Sequence, residues 1–155
     1  MLKYLMMTPA YQIWCKSMPA DQCDVLSYTS YLARVDQFIC YIDIMWPEFI
    51  EKEGLILRST SIPEDWDSFV QQAKDANWSE RDVEYIINHL HITDLFINDP
   101  DRDGIDSEVY RFLADLVTHF WTYRLKELFP EKQFEVGIAD RDISPEVYAF
   151  QIINA

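Results

Sequence analysis

The chain has 155 residues, and 27 Asp and Glu against 13 Lys and Arg give it a formal net charge of −14. A field of that sign repels nucleic acid and anionic membranes and favours basic partners. Hydrophobic content of 49% with 5 Trp, 9 Tyr and 9 Phe excludes disorder, because each aromatic brings a large area to bury.

Gly54, Gly104 and Gly137 are the only glycines, too far apart for a loop whose backbone cradles phosphates. GxSxG, HExxH and kinase-type blocks are absent as well, so no catalytic residue is assigned and no cofactor is expected. Cys15, Cys23 and Cys40 follow no repeating spacing, which indicates neither a disulfide framework nor a CxxC site and makes a reducing cytosol the expected setting. The N-terminal apolar run is broken by Thr8-Pro9 and is too short for a secretory signal. Nothing approaches the roughly 18 apolar residues of a membrane span, so the chain is expected to be soluble and cytoplasmic.

Residues 1–27 mix Met, Pro, Cys and polar residues without a sustained period; an irregular segment or a short helix is expected there, with one α+β domain over 28–155. From Ser30, Tyr31, Leu32, Val35, Phe38, Ile39, Ile42, Met45 and Trp46 recur at three and four, the pattern of one amphipathic helix that Pro47 ends. Cys40 inside it is expected to be a small buried hydrophobe. The run from Gly54 to Arg58 reads as a short buried strand.

Ser61-Ile-Pro-Glu64 has the form of a capping box with Pro in the first turn, opening a helix through about Ala76. Ser79 and Asp82 repeat the arrangement before Val83, Ile86, Ile87 and Leu90. Ser107 is expected to cap the longest helix, from Glu108 to about Phe129; its apolar surface is broad enough to make it central. Pro130 stops it. Alternation over 133–138, a turn at Asp140-Arg-Asp142 and a β-rich run over 146–153 signal a closing hairpin. The fold class is therefore α+β, mainly helical, with a small antiparallel sheet including the C-terminal hairpin.

Two blocks carry a resemblance: Trp46-Pro-Glu-Phe-Ile-Glu51 followed by Gly54, and Tyr110-x2-Leu113 with Trp121, Leu125, Phe129-Pro130 and Phe134-x-Val136. Together they resemble small acidic bacterial proteins found among polymorphic-toxin immunity genes, including those of contact-dependent inhibition systems. The blocks cover about half the chain and consist mainly of core residues and turn punctuation. The resemblance implies a cytosolic protein that binds and neutralises one toxin domain, and it transfers no binding residue to this sequence.

Charge is densest from Asp94 to Glu108. Asp99, Asp101, Asp103 and Gly104 match the first half of a calcium loop, but Tyr110 stands where the bidentate Glu belongs and Ile105 falls one place early. A solvated acidic turn before a helix is the simpler reading, with Asp106 and Glu108 opposing the helix dipole. Glu64, Asp65 and Asp67 around Trp66 form a second cluster, which reads first as carboxylates in the opening turn of a helix around a core Trp66; the alternative is that the carboxylates pair with a partner's Lys or Arg while an aromatic anchors the contact. His89 and His91, two apart, do not chelate from a helix, and no metal site is expected.

The expectation is a non-enzymatic immunity or inhibitor protein. Its partner is a toxin domain that is basic, such as a nuclease, met through Asp99, Asp101, Asp103, Asp106 and Glu108 and through Glu64, Asp65, Trp66 and Asp67. A metal-dependent hydrolase using clustered carboxylates and a non-enzymatic acidic regulator are the alternatives.

Overall fold

Twenty-two residues from Ser107 to Leu128 form one helix (α7), and Trp121 in its middle is wholly shielded from solvent. This is a computed structural model, and it describes residues 2–141 and 144–153. In chain order come α1 (Leu2–Leu5), α2 (Pro9–Ser17), α3 (Val25–Leu32), α4 (Val35–Met45), β1 (Phe49–Lys52), β2 (Leu55–Arg58), α5 (Trp66–Asp75), α6 (Glu80–Ile87), β3 (Leu90–His91), α7, β4 (Phe134–Arg141) and β5 (Ser144–Gln151). The fold is α+β and mainly helical, as the sequence implies.

The expected C-terminal hairpin is present, with β4 and β5 antiparallel from Phe134↔Gln151 to Arg141↔Ser144. Asp142 of its expected turn lies outside the described residues. β3 adds to the other edge of β5 through Leu90↔Val147 and His91↔Glu146, which makes a three-stranded sheet in the order β3-β5-β4. The expected strand after Gly54 is β2, but its partner β1 was not foreseen. β1 and β2 form a separate antiparallel pair. Their two-residue turn, Glu53-Gly54, has positive φ at both positions, the geometry that matches strand twist in tight hairpins.

β2 is buried on both faces. Ile56 joins the cluster of Trp121, Val117, Leu125, Val147 and Phe49 around α7, while Leu55 and Leu57 pack with Trp66, Ala73, Val83 and Ile87 of α5 and α6. Phe49 meets Trp121 edge to face, 5.7 Å between centroids. Trp121 Nε1–H donates to the Ile44 carbonyl at 2.8 Å, so this wholly enclosed indole leaves no donor unpaired.

The two sheets are joined by side chains of α6 and its C-cap. Glu84 and Asn88, four apart and on one face of the helix, are both buried. Glu84 accepts from Ile56 N–H on β2 (2.6 Å) and from Gln151 N–H on β5 (2.5 Å), as well as from the Gln151 side-chain amide (2.5 Å). Asn88 donates to the carbonyls of Ile56 (2.7 Å) and Ala149 (3.1 Å) and accepts from Arg58 N–H (2.8 Å). These groups would otherwise be exposed strand edges, or buried and unpaired.

Three local expectations need correction. The Ser61–Glu64 box does not open α5; residues 59–61 form a 3-10 turn and Asp65 is the N-cap, accepting from Ser68 N–H at 3.1 Å. Pro63 lies before the helix, and Asp65 wins because its carboxylate reaches the first free amides. At α7 the cap is Asp106 instead of Ser107. Cys15 and Cys23, for which no pairing was expected, form a disulfide with Cα atoms 5.1 Å apart; a 3-10 turn at Ala20–Gln22 returns the chain after α2, which spacing alone does not reveal. The box at Ser79 and Asp82 is present in full and starts α6.

Removing the amide in Asn88→Ala leaves one buried N–H and two carbonyls without partners, and should lower the unfolding free energy in urea by about 3 kcal/mol. Glu84→Gln should cost about 2 kcal/mol, because a carboxamide turns a donor toward groups that are all donors. Losses below about 1 kcal/mol for both would remove the pair from its bridging role.

Candidate functional site

Asp24 caps α3, accepting from Ser27 N–H (2.9 Å) and Ser27 Oγ–H (2.6 Å), and those bonds hold its carboxyl below the ordinary value. At Ala33 and Arg34 the backbone turns extended, so the single amphipathic helix expected from Ser30 is two helices. Arg34 then pairs with Asp36 at 3.2 Å, and α4 runs to Met45, just short of Pro47.

Their apolar residues are the main surprise. Leu26 is 75% exposed, Tyr31 71%, Val35 79%, Phe38 60% and Ile39 61%. Cys40, expected to be buried, is exposed and unpaired by disulfide. Helix α4 is apolar on nearly every side, with Val35, Ile39 and Ile42 on one and Tyr41, Ile44 and Met45 on another. Only the second side turns toward the body. A period of three and four identifies a helix with an apolar surface; it does not say that the rest of the chain covers it.

Between α3 and α4 and the N-terminal half of α7 lies a groove of about 770 Å³ with almost wholly apolar walls, including Leu5, Leu32, Phe38, Tyr41, Leu113 and Val117. That volume is in the range of ligand-binding clefts. The α1 end is held by Tyr4 stacked on Phe112, with centroids 4.1 Å apart. The α3 end is held by Tyr28, which lies 4.9 Å from Tyr11 and 5.1 Å from Trp14. The Cys15–Cys23 bond closes the chain between α2 and α3 beside that aromatic cluster.

Two of the expected acidic residues stand on the lining of this groove. Asp99 and Asp101 are half-buried there, and the Asp101 N–H donates to the Asp99 carboxylate at 2.9 Å. Burial first, then the negative charge of Asp99 and Asp101, pushes the Tyr28 phenol above its ordinary value of 10.0. Burial followed by Asp99 does the same for Tyr110, whose hydroxyl donates to the Arg102 carbonyl at 3.2 Å. The rest of the loop is otherwise engaged or solvated: Asp106 accepts from Glu108 N–H at 2.8 Å, Glu108 meets Lys3 at 3.5 Å, and Asp103 is exposed.

The second acidic cluster belongs elsewhere. Trp66 is buried in the β2, α5 and α6 core, donates from Nε1 to Glu53 at 3.0 Å and lies under the Lys52 ammonium at 5.2 Å. Glu64, Asp65 and Asp67 are exposed around it. None of the four lines the groove, so the structure does not gather the two clusters into one pocket. His91 lies 3.8 Å from buried Glu146, and His89 Nδ1 is 2.7 Å from the Ile86 carbonyl. Among the described residues no three His, Cys, Asp or Glu are grouped to hold a metal ion, and no helix is long and apolar enough to cross a membrane.

No family model, curated protein or solved structure matches the chain. The groove was not foreseen because its walls come from five separate helices and the segment before α7; the one signal available was the apolar character of α4 on more than one side.

Because the folded Tyr28 value is raised, the stabilisation from its neutral form is complete below about pH 10 and is lost as pH rises through the folded value. The Tyr28 titration, read from phenolate absorbance as the difference between wild type and Tyr28→Phe, should run above 10.0. With Asp99→Asn and Asp101→Asn together it should move down part of the way, because burial remains. No movement would mean that these carboxylates do not act on the groove wall.

Proposed function

We propose that this protein is a non-catalytic inhibitor of the immunity type, which binds a cognate basic toxin domain in the cytosol and occludes its active site or substrate surface. The observation that carries the reading is the uncovered apolar face of α3 and α4 beside a groove rimmed by Asp99 and Asp101, on a chain of net charge −14. An exposed apolar patch rimmed by acid groups is expensive to keep in water and characteristic of a surface that meets another protein. The excess negative charge supports a basic partner and fast encounter. A nuclease domain fits that chemistry, since it carries the Lys and Arg that bind phosphates.

Asp103, Asp106 and Glu108 extend the acidic field beyond the groove and contribute to encounter rather than to the buried contact. Glu64, Asp65 and Asp67, exposed around a buried Trp66, offer a secondary charged contact without an aromatic anchor. In a reducing cytosol Cys15 and Cys23 are expected as thiols, with the start of α3 kept by the Asp24 cap and the Tyr28 contacts.

Co-expression with the product of the neighbouring upstream gene, followed by capture at low salt and a rising-salt wash, tests the reading. A basic toxin domain should be retained one-to-one, with an on-rate that falls steeply with salt and an off-rate that changes little. Asn at Asp101, Asp103 and Asp106 together should slow association about tenfold at low salt while the fold persists, because Asn also serves as a helix cap. Retention of no protein by a folded bait would contradict the inhibitor reading.

A further inference from the structure

The groove beneath α3 and α4 combines two features that constrain its occupant. Its walls are apolar, and the carboxylates on its lining, Asp99 and Asp101, are half-buried. The cation among the lining residues, Arg34, is already paired with Asp36 at 3.2 Å. An occupant that fills the walls therefore meets net negative charge at the edge.

Chemistry decides among the candidates. A second copy would bring another −14 and its own acidic edge, and an anionic membrane would be repelled by the same field. A small apolar molecule could enter the groove, but it would leave Leu26, Tyr31, Val35 and Ile39 outside the groove in water and make no use of the carboxylates. A polypeptide helix answers all of these constraints. Its apolar stripe, repeating at three and four, lies along a groove walled by helices. A Lys or Arg on its flank reaches Asp99 and Asp101, where partial burial strengthens a charge-assisted hydrogen bond. The protein that carries the helix can cover the outer side of α3 and α4.

We infer that this groove is the docking slot for a basic amphipathic helix of the partner, its apolar stripe against Leu32, Phe38, Tyr41 and Leu113 and its cationic flank at Asp99 and Asp101. The inference rests on the binding-protein reading above and specifies the part of the partner that enters.

The test uses the full chain and three fluorescent peptides of about 18 residues, long enough to form a helix on binding: an amphipathic Leu/Lys helix, a scrambled peptide of the same composition, and a Leu/Glu helix with the same apolar stripe. Anisotropy titration should show the Leu/Lys helix binding at least about tenfold more tightly than either of the others. Asp99→Asn with Asp101→Asn should weaken it about tenfold. Thr29→Arg, which places a cation on the groove wall from an exposed position of α3, should weaken it by a similar factor. Gln71→Arg, the same charge change on exposed α5 away from the groove, should leave affinity within about twofold.

Equal binding of the scrambled peptide would reduce the effect to net charge and overturn the assignment. So would undiminished binding by Thr29→Arg, or a wild-type dimer that Thr29→Arg dissociates. The two readings separate in capture experiments. A toxin that binds Thr29→Arg as it binds wild type removes the groove from the interface and leaves the inhibitor reading standing. Groove-dependent peptide binding with no toxin retained does the reverse.

Discussion

Two side chains, one on the last turn of α6 and one at its C-cap, make the rest of the architecture possible. Neither sheet is large: β1 and β2 form a bare pair, and β3 covers only the first part of the free edge of β5. Strand edges left open would carry unpaired amides and carbonyls into a region that hydrophobic burial has dried. Glu84 and Asn88 stand between these edges and satisfy both. The buried carboxylate is tolerated because the groups turned toward its two oxygens are N–H donors. Ile56 can then face α7 while Leu55 and Leu57 face α5 and α6, and both apolar clusters share one strand.

That arrangement divides the chain into a well-packed part and a sparsely covered one. The C-terminal half of α7 lies against β4, β5 and β1 with Trp121 and Leu125 fully enclosed. The N-terminal half buries Tyr110, Ala114 and Val117 in the same cluster, and its other side meets α1 and the groove through Phe112 and Leu113. Helices α3 and α4 cover it only in part, so apolar surface stays in water on both sides of α4. Retaining such a surface costs solubility, and the net charge of −14 offsets that cost by keeping copies of the chain apart.

Much of the fold was legible because local signals and tertiary context agree. The capping box of Ser79 and Asp82, the breadth of apolar surface on α7, and the alternation from Phe134 to Ile138 all act within a few residues, and each element starts where expected; α6 nevertheless ends at Ile87, and Leu90, expected on it, is drawn into β3 by pairing with Val147. The failures share a cause. Phe49–Lys52 has no alternation of its own and becomes a strand through the Glu53-Gly54 turn and its pairing with β2. Glu84 and Asn88 look like ordinary polar positions on a helix until two strand edges arrive from 28 and 67 residues away. Of the candidate site, Asp99 and Asp101 were legible as charge and the groove itself was not, since periodicity reports that a helix has an apolar face without reporting what, if anything, packs on it. Trp66 was legible as a core residue despite its acidic neighbours, and its indole is enclosed and bonded to Glu53.

Native-state hydrogen exchange on the free protein tests most directly whether α3 and α4 are a surface held ready for a partner. With so little of residues 25–45 buried, their amides should exchange through local openings well below the global unfolding free energy, while those of α7 and β5 exchange near it. Protection of 25–45 equal to that of α7 would mean that these helices are covered in the free protein, and would contradict the account.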